Sequence, residues 1–139
     1  MESEYERSED LWHRFLHSVL APDHFWEPRA DVYETREAIK VKVELAGVRP
    51  DSILVELAGD GRTLTVAGAR EDARHEAADR VLFHQMEIYL GPFERVIALP
   101  ADADVARDQV DAVYRDGFLL VTLPRKQGSS TQVRVAIEE

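Results

Sequence analysis

Ala112-Val-Tyr-Arg-Asp-Gly117-Phe-Leu119-Leu-Val-Thr-Leu-Pro124 reads as a strand, a tight turn and a second strand closed by proline. Asp116-Gly117 is the turn, because glycine takes positive φ at no steric cost. Leu119, Val121 and Leu123 alternate with Leu120 and Thr122, which puts three large aliphatics on one face. Pro124 cannot donate to a sheet ladder, so pairing should stop there.

The same period of two recurs upstream. Ala38-Ile-Lys-Val-Lys-Val-Glu-Leu-Ala46 sets Ile39, Val41, Val43 and Leu45 against Lys40, Lys42 and Glu44, the pattern of a half-buried antiparallel strand. Ala30-Asp-Val-Tyr-Glu is a shorter strand before it. Gly47-Val-Arg-Pro50-Asp51 is a turn, and Ile53, Val55 and Leu57 point inward from the next strand. Gly59-Asp-Gly61 makes a hairpin into Thr63-Leu-Thr-Val-Ala-Gly68. Strands this close, with no helix-length segment between them, predict an all-β sandwich and not βαβ units.

Residues 69–80 are highly charged and lack an apolar stripe, which predicts an exposed loop. Residues 81–88 then read as a strand reached only after that excursion, and loops of this length usually have a task. Gly91-Pro-Phe-Glu-Arg-Val-Ile-Ala-Leu-Pro100 is a turn and a strand with Phe93, Arg95, Ile97 and Leu99 on one face. An arginine in line with core residues requires a partner. Residues 101–107 form a polar connection back to the opening stretch.

The two ends differ from this middle. Residues 3–20 have helical spacing, with Leu11, Phe15 and Val19 in line and Trp12 and Leu16 beside them. Residues 1–27 hold seven acids against two arginines, half of the chain's net charge of −10. The bulky rings of Trp12, Phe15, Phe25 and Trp26 on so acidic an arm have three open destinations: the domain's own surface, other subunits, or client proteins. Residues 127–132 have the composition of a flexible linker. Beyond them Val133, Val135 and Ile137 repeat at period two without a sheet of their own. The expected domains are an arm over 1–27, a sandwich over 28–125 and a tail over 126–139.

Composition excludes several functions. The acidic balance argues against a general phosphate-backbone binder, hence no nucleic-acid partner. No apolar run approaches the roughly 20 residues of a bilayer span, and the acidic N-terminus is unlike a secretory signal. With no cysteine there is neither disulfide nor thiolate metal site, and the cytoplasm is the expected compartment. His13 and His17 stand one helical turn apart but without a second shell of acids. No phosphate cradle, nucleophile elbow or calcium loop is present, so no enzyme, cofactor or metal is expected.

Five blocks together resemble the bacterial and plant small heat-shock proteins over about residues 28–137. They are Trp26-Glu-Pro28 with Asp31-Val-Tyr-Glu, and Val43-Glu-Leu-Ala-Gly47-Val48 with Asp51 and Ile53. The third is Glu87 with Gly91-Pro-Phe93-Glu-Arg95 and Leu99-Pro100, and the fourth is Ala112, Gly117 and Leu119. The tail is the fifth. Ala46 departs from the pattern, standing where the family usually has proline.

The resemblance implies an immunoglobulin-like antiparallel sandwich, the α-crystallin domain, that dimerises by strand exchange. Residues 81–88 would pair with an early strand of a second copy, placing Val81, Phe83, Met86, Glu87 and Arg95 at a dimer interface. Arg95 would pair with Glu87, with acids of the neighbouring loop, or within its own domain. The tail resembles the family's isoleucine-x-isoleucine docking motif, with Val135 and Ile137 preferred and Val133 as a third knob. Its groove would include Ile53, Val55, Val110 and Ala112. Each valine in place of isoleucine removes about 0.8 kcal/mol of burial, which predicts smaller or more labile oligomers. The implied function is an ATP-independent holdase of the stress response. It would bind partly unfolded clients through Leu11, Trp12, Phe15, Leu16, Phe25 and Trp26, with ATP-dependent chaperones downstream. The rival reading is a co-chaperone adaptor of the CS-domain type, which shares the sandwich but lacks the long loop and the docking tail.

Overall fold

Ile39, Val41, Val43 and Leu45 are all fully buried, as their alternation with lysine and glutamate predicts. They belong to β2 (Ala38–Glu44) and its end, and every other strand is placed by reference to it. The computed structural model describes residues 25–126 and 133–137. In chain order the other strands are β1 (Ala30–Glu34), β3 (Leu54–Leu57), β4 (Thr63–Arg70), β5 (Gly91–Ala98), β6 (Asp111–Arg115) and β7 (Phe118–Pro124). They form two antiparallel sheets, ordered β1-β2-β7-β6 and β3-β4-β5.

The inner faces of the two sheets make one core. Ile39, Val41 and Val43 of β2 lie beside Leu123, Val121 and Leu119 of β7, all paired in register. Leu64, Val66, Phe93 and Ile97 close it from the second sheet. Both partners in such a row exclude water from the other, and apolar burial of this kind is the main term favouring the fold.

The β6–β7 turn is tighter than glycine alone demands. Asp116 and Gly117 both have positive φ, 54° and 83°, the pattern of a two-residue hairpin whose twist matches its strands. Gly117 is required a second time by proximity, since a Cβ there would stand 3.2 Å from the Cα of Ala46. The Leu45 N–H donates to the Gly117 carbonyl at 2.7 Å, so the turn is stitched to the end of β2.

Tyr114 fastens the same corner. Its hydroxyl donates to the Leu45 carbonyl at 2.7 Å, across 69 residues of sequence. That carbonyl also accepts the Val48 N–H, so removing the hydroxyl does not orphan it. Tyr114→Phe should therefore cost only about 1 kcal/mol. A denaturation midpoint unchanged from wild type would show that the bond contributes nothing.

Two local expectations are corrected. Residues 69–80 are not one loop: Ala69 and Arg70 complete β4, and Arg74–Ala78 forms a single-turn helix, α1, with no buried residue. Residues 81–88 form no strand in the single chain. A strand exists only where a neighbouring edge supplies its hydrogen bonds, and among the described residues no edge pairs with this segment.

Candidate assembly surfaces

The connection into β6 shapes one side of the sandwich. Arg107 lies just before β6, and its guanidinium donates to the carbonyls of Leu57 at 3.2 Å and Ala58 at 2.6 Å. Those carbonyls end β3. The bonds therefore bring together β3 and β6, the edge strands of opposite sheets. Ile53, Val55 and Leu57 on one rim and Val110 and Tyr114 on the other are packed on the core and only partly covered. Ala112 pairs with the buried Val121 and so takes the inward parity, yet it is exposed, because among the described residues no strand lies beyond β6. The four expected groove positions Ile53, Val55, Val110 and Ala112 thus lie along these two edges. Arg107, which sets their spacing, carries no sequence signal, being one charge in a polar connection.

The opposite side is formed by β1 and β5. Trp26 bridges to Phe93, with its N–H on the Pro92 carbonyl at 3.3 Å and its carbonyl accepting the Glu94 N–H at 3.2 Å. The chain crosses from there directly into β1. Among the described residues no strand follows beyond β1, and Val32 and Tyr33 are left exposed. Arg95 takes the inward parity, opposite Val66, but sits at this open side with about a third of its side chain exposed. Among the described residues its nearest acid is Glu27 at 4.0 Å, a wide and mostly solvated pair of small energetic weight. Glu87 is not its partner within the chain. The Glu87 carboxylate instead accepts the Gln85 side-chain amide at 2.6 Å.

Between β4 and β5 the long segment stands off the sandwich. Val81 is 97% exposed, and Leu82, Met86 and Ile88 are each about two-thirds exposed or more, with Phe83 partly covered. What covers Phe83 is Arg80, whose guanidinium lies 4.4 Å over its ring. Arg80 also forms a two-point ion pair with Asp72, one bond at 3.2 Å, which closes the turn around α1. The hydrogen bond from Arg80 holds the Asp72 carboxyl below the ordinary carboxylate range, outweighing partial desolvation. Because the folded value lies below the unfolded one, this contribution is present above the ordinary range and is lost as pH falls through the folded value. Asp72→Asn should raise amide exchange over residues 73–80 about twofold at neutral pH, the scale of an exposed pair. The difference should vanish in strong acid. Equal exchange at neutral pH would remove the clasp from the account.

Trp26 is half-buried and committed to its own domain: it stacks on Tyr89 at 6.0 Å and meets Phe93 at 5.1 Å. Phe25 is half-buried beside it. Leu11, Trp12, Phe15 and Leu16, and the helix expected over residues 3–20, lie outside the described residues. Val133, Val135 and Ile137 are exposed in a segment without regular structure. Among the described residues no polar or charged side chain is buried. No group of three or more His, Asp or Glu among them is placed to hold a metal. No helix there is long and apolar enough to cross a membrane.

Residues 31–138 match the model of the Hsp20/alpha crystallin family. The chain is 37% identical over 114 residues to the 16.9 kDa class I heat shock protein 1 of Triticum aestivum, covering 82% of this chain and 72% of that one. It is 30% identical over 131 residues to small heat shock protein C4 of Rickettsia felis, covering 89% and 77%. Among solved structures, heat shock protein 16.0 of Schizosaccharomyces pombe superposes with a TM-score of 0.64 at 30% identity, over 81% of this chain and 99% of that one. The sandwich with its long β4–β5 excursion, and the sequence that builds it, make the chain a member of the Hsp20/alpha crystallin family of small heat-shock chaperones.

Proposed function

We propose that the protein is an ATP-independent holdase that dimerises by exchanging residues 81–88 and assembles further through its tail. The observation that carries this reading is the pairing of two incomplete features. One is the segment Val81 to Ile88, whose Val81, Leu82, Phe83, Met86 and Ile88 are held exposed away from its own sandwich. The other is β1, whose outer edge pairs with no other strand among the described residues and which carries an exposed valine. Strand addition satisfies both at once, giving the segment its hydrogen bonds and covering the edge. In such a dimer Phe83, Met86, Glu87 and Arg95 lie at the interface. Arg95 then has the partner's acids within reach as well as Glu27.

The tail follows the same logic. Val135 and Ile137, with Val133 beside them, fit the rims formed by Ile53, Val55, Val110 and Ala112 of another dimer. The sandwich over 28–125 is thus flanked by two assembly elements, 1–27 and 126–139. Client binding falls to Leu11, Trp12, Phe15, Leu16 and Phe25, together with apolar edges bared when subunits separate. Covering a client's exposed apolar patches competes with its self-association by mass action. The loaded complex, kept soluble by the acidic charge, would pass to ATP-dependent chaperones in the cytoplasm. The family match supports this reading over a CS-type adaptor.

The test is light scattering of a heat-labile client with no nucleotide present. Equimolar subunits should suppress most of the scattering. Aggregation unchanged at that ratio would sink the holdase reading.

A further inference from the structure

Two stretches of chain meet at a single point of the sandwich. Trp26 docks there on β5, and residues 71–90 depart from Arg70 and return at Gly91, which is its paired residue in the β4–β5 ladder. The side chain of Arg70 occupies that point. Its Nε donates to the Tyr89 carbonyl at 2.8 Å, so one foot of the excursion holds the other. Its second nitrogen donates to the Ala46 carbonyl at 3.2 Å, which ties both feet to the turn after β2. The guanidinium carbon lies over the Trp26 ring, 4.4 Å from its centroid. Trp26 completes the circuit, since its indole N–H donates to the Gly91 carbonyl at 3.1 Å and its ring stacks on Tyr89.

Each contact depends on the others for its geometry. A guanidinium can bond two carbonyls in its plane while presenting its face to an aromatic ring, which an ammonium cannot do. With Trp26 unseated, the face of Arg70 and the Gly91 carbonyl both lose their cover. With Arg70 displaced, the Tyr89 foot is free and the surface on which Trp26 stacks is no longer held.

We infer that Arg70 is a positioning residue that couples the seating of Trp26 on β5 to the anchoring of the 71–90 segment, so that the two release together. Any partner that draws the N-terminal arm away from β5 then loosens the base of the exchanging segment. By reciprocity, withdrawal of that segment frees the arm. The consequence for subunit exchange rests on the strand-exchange reading above, whereas the coupling itself belongs to the single chain.

Two measurements on the full chain decide it. In the first, amide hydrogen exchange is followed at Trp26 and Glu94, the two N–H groups that hold the Trp26 seat. Arg70→Ala should speed both about tenfold, from the loss of charge-assisted bonds and the cation–π contact, with β2 and β7 unchanged. Arg70→Lys should recover part of the protection, because it keeps a cation over the ring. Arg107→Ala, which removes carbonyl bonds elsewhere, should leave both amides alone. In the second, isotope-labelled and unlabelled subunits are mixed and heterodimers counted by native mass spectrometry. Arg70→Ala and Trp26→Ala should each speed mixing about tenfold, and the double variant should be no faster than the faster single. Independent anchors would multiply to about a hundredfold, and that result overturns the coupling. So does unchanged exchange at Trp26 and Glu94 in Arg70→Ala, or a rise shared equally by β2 and β7. A chain that proves monomeric retires the strand-exchange reading, and the amide measurement then decides the joint alone.

Discussion

Replacing residues 71–90 with Asn-Gly should yield a folded monomer. The substitution joins Arg70 to Gly91, already opposite one another in the β4–β5 ladder, through the two-residue turn best suited to antiparallel strands. None of the large side chains removed belongs to the core, since Val81, Leu82, Met86, Ile88 and Tyr89 are all exposed. Closing a loop of two residues in place of twenty recovers roughly 2 kcal/mol of chain entropy. Part of that is offset by the loss of Tyr89 from beneath Trp26. The sandwich should thus keep its far-ultraviolet dichroism and its denaturation midpoint. Its mass in solution, by contrast, should fall to that of one subunit. A milder variant, Met86→Asp with Ile88→Asp, should weaken the dimer in the same direction without changing chain length. If the shortened protein remains a dimer at micromolar concentration, strand exchange is not how the subunits meet.

The second large effect concerns Phe93, which should cost about 3–5 kcal/mol when cut to alanine. Its ring is fully buried and is the bulkiest such side chain in the described core. It fills the space left by Gly68, where an added Cβ would approach Cζ to 2.7 Å. It also backs Trp26 at 5.1 Å, so its loss both opens a cavity and undercuts the N-terminal seat. Total stability for a domain of this size is about 5–15 kcal/mol, and each kcal/mol moves the midpoint by roughly 4–8 °C. A fall of about 15 °C or more is expected. Gly68→Ala alone should overpack the site at about 1–3 kcal/mol, and in the Phe93→Ala background its cost should shrink or reverse. Additive costs would mean that the two residues do not share a cavity.

Most of the sandwich was legible because its strands are locally encoded. Period-two alternation in Ile39 to Leu45 and in Leu119 to Leu123 assigns inward and outward positions without knowledge of the partner strand. The Asp116-Gly117 turn likewise states its own geometry. The helix α1 was missed for the complementary reason: with no apolar stripe, nothing in residues 74–78 distinguishes one exposed turn of helix from loop. Residues 81–88 misled in the other direction. They carry the pattern of a strand, but a pattern is only half of a strand, and the described residues of the chain supply no edge to complete it.

The expected groove positions lie along two edge strands, and their inward parity could be counted along β3 and β6. What holds those edges together could not be counted. Arg107 reaches carbonyls about fifty residues away, and Tyr114 reaches across 69. A bond to a backbone carbonyl leaves no trace in the sequence of the residue that accepts it, since every residue carries one.

By itself, then, the sequence determined the sandwich, its hairpin at Asp116-Gly117 and the family to which these belong, because alternation and turn chemistry act over a few neighbouring residues. The fold alone decided that Trp26 docks on β5, that Arg95 lies nearest Glu27, and that Arg70 gathers Ala46, Tyr89 and Trp26 at one joint. Those relations rest on distances between residues remote in the chain, and such distances exist only once the two sheets have closed on each other.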